Sequence, residues 1–186
     1  MLSEPIPHWL HEQIDKIQDL GIFETTKIPN HVLINEYQSG QGISPHLDGN
    51  LFHPIIATIS LGNKSLSRKK KLLLLPTFSL GSHTVLNYYE PLQSDLNEHC
   101  SSLDSRLKFK LYVPQRSLLL VKNQMFSHYL HGIEEKPSDY CDTNLIIPNQ
   151  CQFSQDHDDS ANLERKTRIS LTIRHVPNTK KIKIKF

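Results

Sequence analysis

The tripeptide His46-Leu47-Asp48 combines an imidazole and a carboxylate, two side chains that bind transition metals. Alternate residues of a β-strand point to the same face, so on a strand both side chains would reach one ion. His46 follows a glycine-rich turn and precedes an apolar segment, a context that favours an ordered site. The second His-x-Asp of the chain, His157 to Asp159, lies in a polar stretch and is interpreted as solvated surface.

A third metal ligand must come from elsewhere in the chain, and we predict that it is His131. This histidine stands between apolar residues and next to Gly132, which permits close backbone approach, whereas His128 lacks that setting. Two histidines and one carboxylate on one face of an ion form the facial triad of non-haem Fe(II) oxygenases, which leaves positions open for cosubstrate and dioxygen. The sequence therefore favours iron, held by His46, Asp48 and His131.

A zinc site is the alternative for these histidines. It would combine Cys141 and Cys151 with His128 and His131, but the spacing of the two cysteines matches none of the tight pairs that structural zinc sites use. With Cys100 the chain has three cysteines, too few for a disulfide scaffold, so a reducing compartment is expected. A zinc-stabilised interaction domain remains open at this point.

The segment Arg168-Ile169-Ser170-Leu171-Thr172-Ile173-Arg174 alternates polar and apolar side chains, as a strand with two different faces does. Its polar face suits the interior of a barrel that holds an anion, because arginine binds carboxylates through paired, charge-assisted hydrogen bonds. The two arginines would lie about 20 Å apart along an extended strand and would lean toward the two ends of a small dicarboxylate. Tyr37 could add a hydroxyl. The alternative is an edge strand with a solvated polar face.

We predict that the elements that position these residues form one mainly β domain with flanking helices, covering residues 1–186. Of the 186 residues 37% are hydrophobic and 22% charged, and the net charge of +2 creates no overall field. We predict a helix from Pro7 to Gly21, and then short strands separated by turns, typical of a β-sandwich or jelly roll. The expected strands are 32–34, 55–61, 84–89, 107–113, 117–121 and 168–176. The polar segment 134–166 is predicted to be a long loop.

Two further segments stand apart from this pattern. Thr58-Ile59-Ser60-Leu61-Gly62 recurs nearly unchanged as Thr77-Phe78-Ser79-Leu80-Gly81, so residues 63–81 are interpreted as an insertion or a retained intron. The basic tail, with Lys180, Lys181, Lys183 and Lys185, fits a charged edge strand or a contact with nucleic-acid phosphates. No apolar run approaches the length of a membrane span, which predicts an intracellular protein.

With Asn35-x-Tyr37, His46-x-Asp48, His131 and Arg168-x5-Arg174 in this order, the chain resembles the AlkB-like Fe(II)- and 2-oxoglutarate-dependent dioxygenases. The resemblance runs from about residue 5 to residue 177. It implies a double-stranded β-helix, with iron on the His-Asp-His set. It also implies a 2-oxoglutarate site, whose residues would be Asn35, Tyr37, Arg168 and Arg174, with Ser170 and Thr172 lining the same strand.

The resemblance also carries expectations about activity. It implies that oxidative decarboxylation of 2-oxoglutarate is coupled to hydroxylation or N-demethylation of a nucleic-acid or protein substrate, in the nucleus or the cytoplasm. Family members carry a nucleotide-recognition lid before the first helix, which we expect to be missing here. A catalytically weak, nucleic-acid-binding relative is the alternative, and neither substrate nor oligomeric state follows from the sequence.

Overall fold

The computed structural model describes residues 5–62, 81–92, 102–140, 145–146 and 162–177. These residues form eleven strands, two α-helices and one 3-10 turn. In chain order the elements are α1 (His8–Asp19), β1 (His31–Tyr37), β2 (Ile43–His46), β3 (Ile55–Ser60), β4 (Thr84–Tyr89), a 3-10 turn (Asp104–Arg106), β5 (Leu107–Val113), β6 (Leu118–Lys122), α2 (Gln124–Ser127), β7 (Leu130–Ile133), β8 (Ser138–Tyr140), β9 (Leu145–Ile146), β10 (Asn162–Glu164) and β11 (Arg168–Arg174).

The strands form two large sheets and one small one. The first sheet has the order β1-β11-β3-β6, the second the order β2-β7-β4-β5-β9, and β8 pairs with β10. Every pairing is antiparallel except that of β5 with β9. Neighbours in a sheet are mostly distant in the sequence, as in a jelly roll, and the predicted double-stranded β-helix is confirmed. Among the described residues, neither helix has the length and apolarity needed to cross a membrane.

Helix α1 covers the outer face of the first sheet. Pro7 precedes the helix, where its missing N–H costs nothing, and Gly21 follows it at φ +68°, a conformation that glycine adopts without strain. Its apolar stripe is buried against the sheet. The cluster comprises Leu10, Ile14, Ile17, Phe23, Ala57, Leu171 and Ile173. The helix predicted from Pro7 to Gly21 is therefore confirmed, and its burial fixes which face of β11 points inward.

Strand β11 lies in the interior of the first sheet, between β1 and β3. Leu171 and Ile173 face α1, so the alternate residues must point to the opposite side. These four polar residues, Arg168, Ser170, Thr172 and Arg174, are all buried. The reading of this segment as a solvated edge strand is therefore wrong, because strands pair with both of its edges.

Within the described part of the chain, strand β2 is an edge strand of the second sheet and pairs with β7 alone. Its ladder is irregular between Ile43 and His46, at a position occupied by Pro45, which has no N–H to donate. Opposite this irregularity stands Gly132, where a Cβ would fall 2.8 Å from the Ile43 carbonyl oxygen and 2.9 Å from the Pro45 nitrogen. The missing side chain lets the two strands approach closely, and His46 pairs directly with His131.

Two expectations about local structure are corrected. Residues 134–166 are not one long loop, since Ser138–Tyr140 and Asn162–Glu164 pair as β8 and β10 and Leu145–Ile146 adds to β5. These strands have two or three residues each, too short for a periodic pattern to show. The other correction concerns the His-x-Asp tripeptide: His46 is the last residue of β2, and Asp48 lies beyond its end.

Gly62 and Gly81, the two residues that flank the segment 63–80, lie next to each other. A Cβ on Gly81 would fall 2.2 Å from the Leu61 carbonyl oxygen and 2.3 Å from the Gly62 Cα, so the backbones of Gly62 and Gly81 touch. Several residues considered in the sequence lie outside the described part of the chain: Cys100, Cys141, Cys151, His157, Asp159, Lys180, Lys181, Lys183 and Lys185.

Candidate metal centre and cosubstrate pocket

His46, Asp48 and His131 come together near Arg174 of the first sheet and Tyr88 of the second. Their nearest donor atoms all lie within 4.8 Å of one another, and they are the only such group among the described residues. His131 Nε2 is 3.5 Å from Asp48 Oδ2, and the rings of His46 and His131 have centroids 4.7 Å apart. His128, in contrast, lies on the surface, where its Nε2 is 3.2 Å from Glu90 Oε2.

The main chain fixes the proton of His46. Its Nδ1 lies 2.8 Å from the Ser44 carbonyl oxygen, which can only accept a hydrogen bond. Nδ1 must therefore donate to this carbonyl, which leaves Nε2 as the ring nitrogen that could bind a metal. A backbone partner on one ring nitrogen is the usual device that orients a metal-binding histidine.

His131 is also held in the form that binds a metal. Burial lowers its pKa and outweighs the attraction of Asp48, while His46 and Arg174 lower it further, so the imidazole is neutral at neutral pH. Tyr88, the cross-strand neighbour of His131 on β4, packs against the ring with centroids 5.9 Å apart. Burial raises the pKa of Tyr88 to about 12, and the charge of Asp48 acts in the same direction. Tyr88 is a neutral wall of this site.

Arg174 lies at the end of β11 that is near the candidate metal ligands. Burial lowers its pKa, and Asp48 partly offsets that effect, which places the guanidinium within electrostatic reach of the triad. Its guanidinium carbon is 4.3 Å from the centre of the Phe52 ring. Its Nε is buried without a hydrogen-bond partner, although the residue remains charged at neutral pH.

Arg168 lies at the other end of β11 and is 6% exposed. It donates to the hydroxyls of Ser170, at 3.2 Å, and Ser60, at 2.9 Å. Its guanidinium lies 5.9 Å from the centre of the Tyr37 ring. Burial lowers its pKa to about 10, Tyr37 acts against that shift and Arg165 adds to it. No described carboxylate forms an ion pair with this buried cation, and its Nε is unpartnered.

The remaining predicted residues lie on the same inner surface. Asn35 pairs with Ser170 and Tyr37 with Arg168 across the β1–β11 ladder, while Thr172 is buried midway along β11. Sequence reasoning missed Ser60, Tyr88 and Phe52. None of the three carried a signal in the sequence, since Ser60 is a small polar residue at the end of β3 and the other two are aromatic residues of ordinary type for their positions.

The donor set fits Fe(II) and a small dicarboxylate. Two imidazoles and one carboxylate, which leave the rest of the coordination sphere open, are the ligands that non-haem Fe(II) oxygenases use. The buried Arg168, surrounded by hydroxyls and lacking an anionic partner, is a poor structural element because an uncompensated buried charge is costly. An anionic ligand would supply the missing partner.

Comparison with known proteins identifies the class. Residues 2–174 match the 2OG-Fe(II) oxygenase superfamily, and the chain belongs to that superfamily. The superfamily is named for Fe(II) and 2-oxoglutarate, and His46, Asp48 and His131 are the described residues that could hold the metal.

Two individual proteins are similar to this chain over most of its length. The chain is 38% identical over 177 residues to a protein of Danio rerio named "Probable RNA/DNA demethylase ALKBH6", which covers 95% of this chain. It is 25% identical over 174 residues to "Uncharacterized protein L905" of Acanthamoeba polyphaga mimivirus, which covers 92%. The chain spans 65% of the length of the first relative and 61% of the second.

Proposed function

We propose that this protein is an Fe(II)- and 2-oxoglutarate-dependent dioxygenase that removes N-methyl groups from nucleobases of RNA or DNA. One N-methyl group, one dioxygen and one 2-oxoglutarate would give the free N–H, formaldehyde, succinate and carbon dioxide. The observation that carries the proposal is the convergence of two imidazoles and a carboxylate beside a polar strand with a buried, unpaired arginine. Bound Fe(II) supplies the oxidising chemistry, in which dioxygen and 2-oxoglutarate hydroxylate a C–H bond.

Three side chains hold the metal in this proposal. His46 presents Nε2, since its Nδ1 is committed to the Ser44 carbonyl, and His131 presents the Nε2 that already faces Asp48. Asp48 contributes a carboxylate oxygen and one negative charge. The donor atoms of the three residues lie within 4.8 Å of one another, close enough to bind a single ion.

The inner face of β11 holds the cosubstrate. Arg168 binds the distal carboxylate of 2-oxoglutarate, helped by the Ser60 and Ser170 hydroxyls that already contact it. Arg174, near Asp48, balances negative charge at the metal end. The remaining proposed residues of this pocket are Asn35, Tyr37 and Thr172, which line the inner surface between or beside the two arginines. The arrangement orients a dicarboxylate along the strand, with one end toward the metal.

Support for a nucleic-acid substrate comes from the zebrafish relative, whose name states that it is a probable RNA/DNA demethylase. A nucleic-acid demethylase would reside in the nucleus or cytoplasm, and fractionation of tagged protein tests that location. A methylated protein side chain is the competing substrate. Formaldehyde release from N-methylated oligonucleotides, with methylated peptides assayed in parallel, decides between them.

Cosubstrate binding is tested first, without any substrate. Anaerobic addition of Fe(II) and 2-oxoglutarate should produce a visible charge-transfer absorption band, and His131→Ala should abolish it. His128→Ala is the matched control, since this exposed histidine lies three residues away and contacts Glu90 instead. A wild-type protein without the band, or a band that survives His131→Ala, would contradict the proposal. Nucleic-acid binding that persists without a band would identify the protein as a non-catalytic binder.

A further inference from the structure

A third buried arginine lies just before β11. Arg165 is 6% exposed, as is Arg168 three residues later, so two buried arginines flank the start of this strand. The charge of Arg165 already acts on Arg168, whose pKa it lowers in addition to the larger effect of burial. Two buried cations of this kind compete for any anion that enters, unless one of them is neutralised.

Arg165 is neutralised by Asp139. The two form a bidentate pair, with Nε 2.6 Å from Oδ2 and Nη2 2.7 Å from Oδ1. Asp139 is 1% exposed, and His83 Nε2 lies 3.1 Å from the same carboxylate. Lys136 approaches its other oxygen at 3.4 Å. Bidentate pairing commits the Nε–Nη2 edge of Arg165 to Asp139, so this edge is not free to bind a second anion.

The pair also anchors the chain just before β11. Arg165 Nη1 donates to the Glu134 carbonyl at 2.6 Å, and the Arg165 backbone N–H donates to Pro137. The next backbone N–H, that of Lys166, donates to the Ser82 hydroxyl at 3.0 Å. Two residues beyond Lys166, Arg168 begins the strand. Contacts with Asp139, Glu134, Pro137 and Ser82 therefore hold the chain just before Arg168.

We propose that Asp139 is a positioning residue for the cosubstrate: by neutralising Arg165 it makes Arg168 the cation on which the distal carboxylate of 2-oxoglutarate docks. This inference rests on the proposed function. Without the carboxylate, Arg165 becomes an uncompensated buried cation beside Arg168 and draws the distal carboxylate toward itself. The cosubstrate then binds more weakly and out of line with the metal, although the metal ligands are unchanged.

The test measures 2-oxoglutarate affinity through the anaerobic visible band, with thermal unfolding of each variant as a second readout. Asp139→Asn should weaken 2-oxoglutarate binding at least about tenfold, the effect of misplacing one charged hydrogen bond. The double variant D139N/R165Q removes the stray cation and should restore affinity to within about threefold of wild type, since one amide can still bond the other. Glu90→Gln, which alters an exposed carboxylate paired with Lys108, is the control and should change nothing.

The double variant separates positioning from simple structural support. If Asp139 only holds the fold together, D139N/R165Q binds 2-oxoglutarate as weakly as Asp139→Asn, and the proposal is overturned. Unchanged affinity in Asp139→Asn overturns it equally. If Asp139→Asn does not fold, Arg165→Gln is measured instead. This variant should retain its affinity for 2-oxoglutarate if Asp139 acts by neutralising Arg165, and should lose it if the pair only supports the fold. A wild-type protein that gives no band contradicts the proposed function instead.

Discussion

The two faces of β11 have opposite chemistry although they belong to the same seven residues. The outer face, with Leu171 and Ile173, is packed against α1 and is essentially inaccessible. The inner face is just as buried, but Arg168 and Arg174 each keep a guanidinium nitrogen without a partner. Burial alone therefore does not distinguish a residue that stabilises the fold from one that binds a ligand. Buried polar atoms without a hydrogen-bond partner make that distinction.

The contrast assigns separate duties to the two faces. Apolar burial on the outer face stabilises the sheet, while unpaired charge on the inner face costs stability that a bound anion would return. Substitutions on the inner face should therefore affect ligands and spare the fold, and substitutions on the outer face should do the reverse.

The largest effect is expected at the metal end. His46→Ala removes a proposed iron ligand whose orientation depends on Ser44, so succinate formation should fall to the level without enzyme. The thermal unfolding midpoint of the metal-free protein should stay at the wild-type value, because this half-exposed side chain contributes little to the core. Succinate production near the wild-type rate would break the assignment of this end of the molecule to metal binding.

Arg168→Met should raise the KM for 2-oxoglutarate about 100-fold, the loss of a charged, two-point contact with a carboxylate. The same change should raise thermal stability, because it replaces an unpaired buried cation by an apolar side chain of similar length. Steady-state succinate assays and calorimetry measure the two quantities. A less stable protein with an unchanged KM would mean that Arg168 stabilises the fold and does not bind 2-oxoglutarate.

The opposite result is expected for Leu171→Ala, three residues further along the same strand. Leu171 is 1% exposed, and its truncation should lower the free energy of unfolding by about 2–5 kcal/mol. The KM for 2-oxoglutarate of the folded protein should remain within about twofold of wild type, because the side chain points away from the pocket. Urea unfolding gives the first value, and a shift of KM as large as that of Arg168→Met would erase the contrast between the faces.

Lowering the pH should remove the stability that the ion pair of Asp139 and Arg165 contributes, and should have no such effect at Arg168. Burial by itself raises the pKa of Asp139, but hydrogen bonds from His83 and Arg165 outweigh it and hold that pKa well below its usual range. The stabilisation is therefore complete above the unfolded-state pKa of about 3.9 and is lost as the pH falls further. Asp139→Asn should be less stable than wild type by about 3 kcal/mol from pH 7 to pH 4.

That difference should shrink below pH 4, as the wild-type carboxyl approaches its low folded-state pKa. Arg168→Met should show the same pH dependence of stability as wild type, displaced to higher stability at every pH, since Arg168 has no described carboxylate partner to protonate. Urea unfolding at pH 7, 5, 4 and 3 makes the comparison. A difference between wild type and Asp139→Asn that stays constant down to pH 3 would count against this view.

The smallest effect is expected from deleting residues 63–81, which we propose are an insertion in a single domain. Gly62 and Gly81 touch, so joining Gly62 to Ser82 should need little rearrangement of β3 and β4. The unfolding midpoint and the KM for 2-oxoglutarate should match those of the full chain. A deletion variant that fails to bind 2-oxoglutarate would assign the segment to the inner, ligand-binding surface.

Much of this arrangement could be predicted because alternation survives in long strands. The seven residues of β11 and of β5, and the stripe of α1, repeat often enough for inward and outward faces to be read. The His-x-Asp tripeptide and His131 were predictable by residue type, since few combinations of side chains suit a metal.

The remainder depended on long-range pairing that a local pattern does not contain. Strands β8 and β10 have three residues each, and Asp139 meets Arg165 only because they align. Ser60 is an ordinary strand residue until Arg168 reaches it from another strand. The irregular β2, where Pro45 interrupts the ladder, also lacks the alternation that marks longer strands.

The bare backbone at Gly132 has a last consequence. Because β2 and β7 are drawn together at this residue, the backbone positions of His46 and His131 are set by the strand pairing, and the rotamers of the two histidines complete the spacing of the imidazoles. A side chain at position 132 would push the two strands apart. The chelate would therefore tolerate nothing larger than glycine at a position that is not itself a ligand.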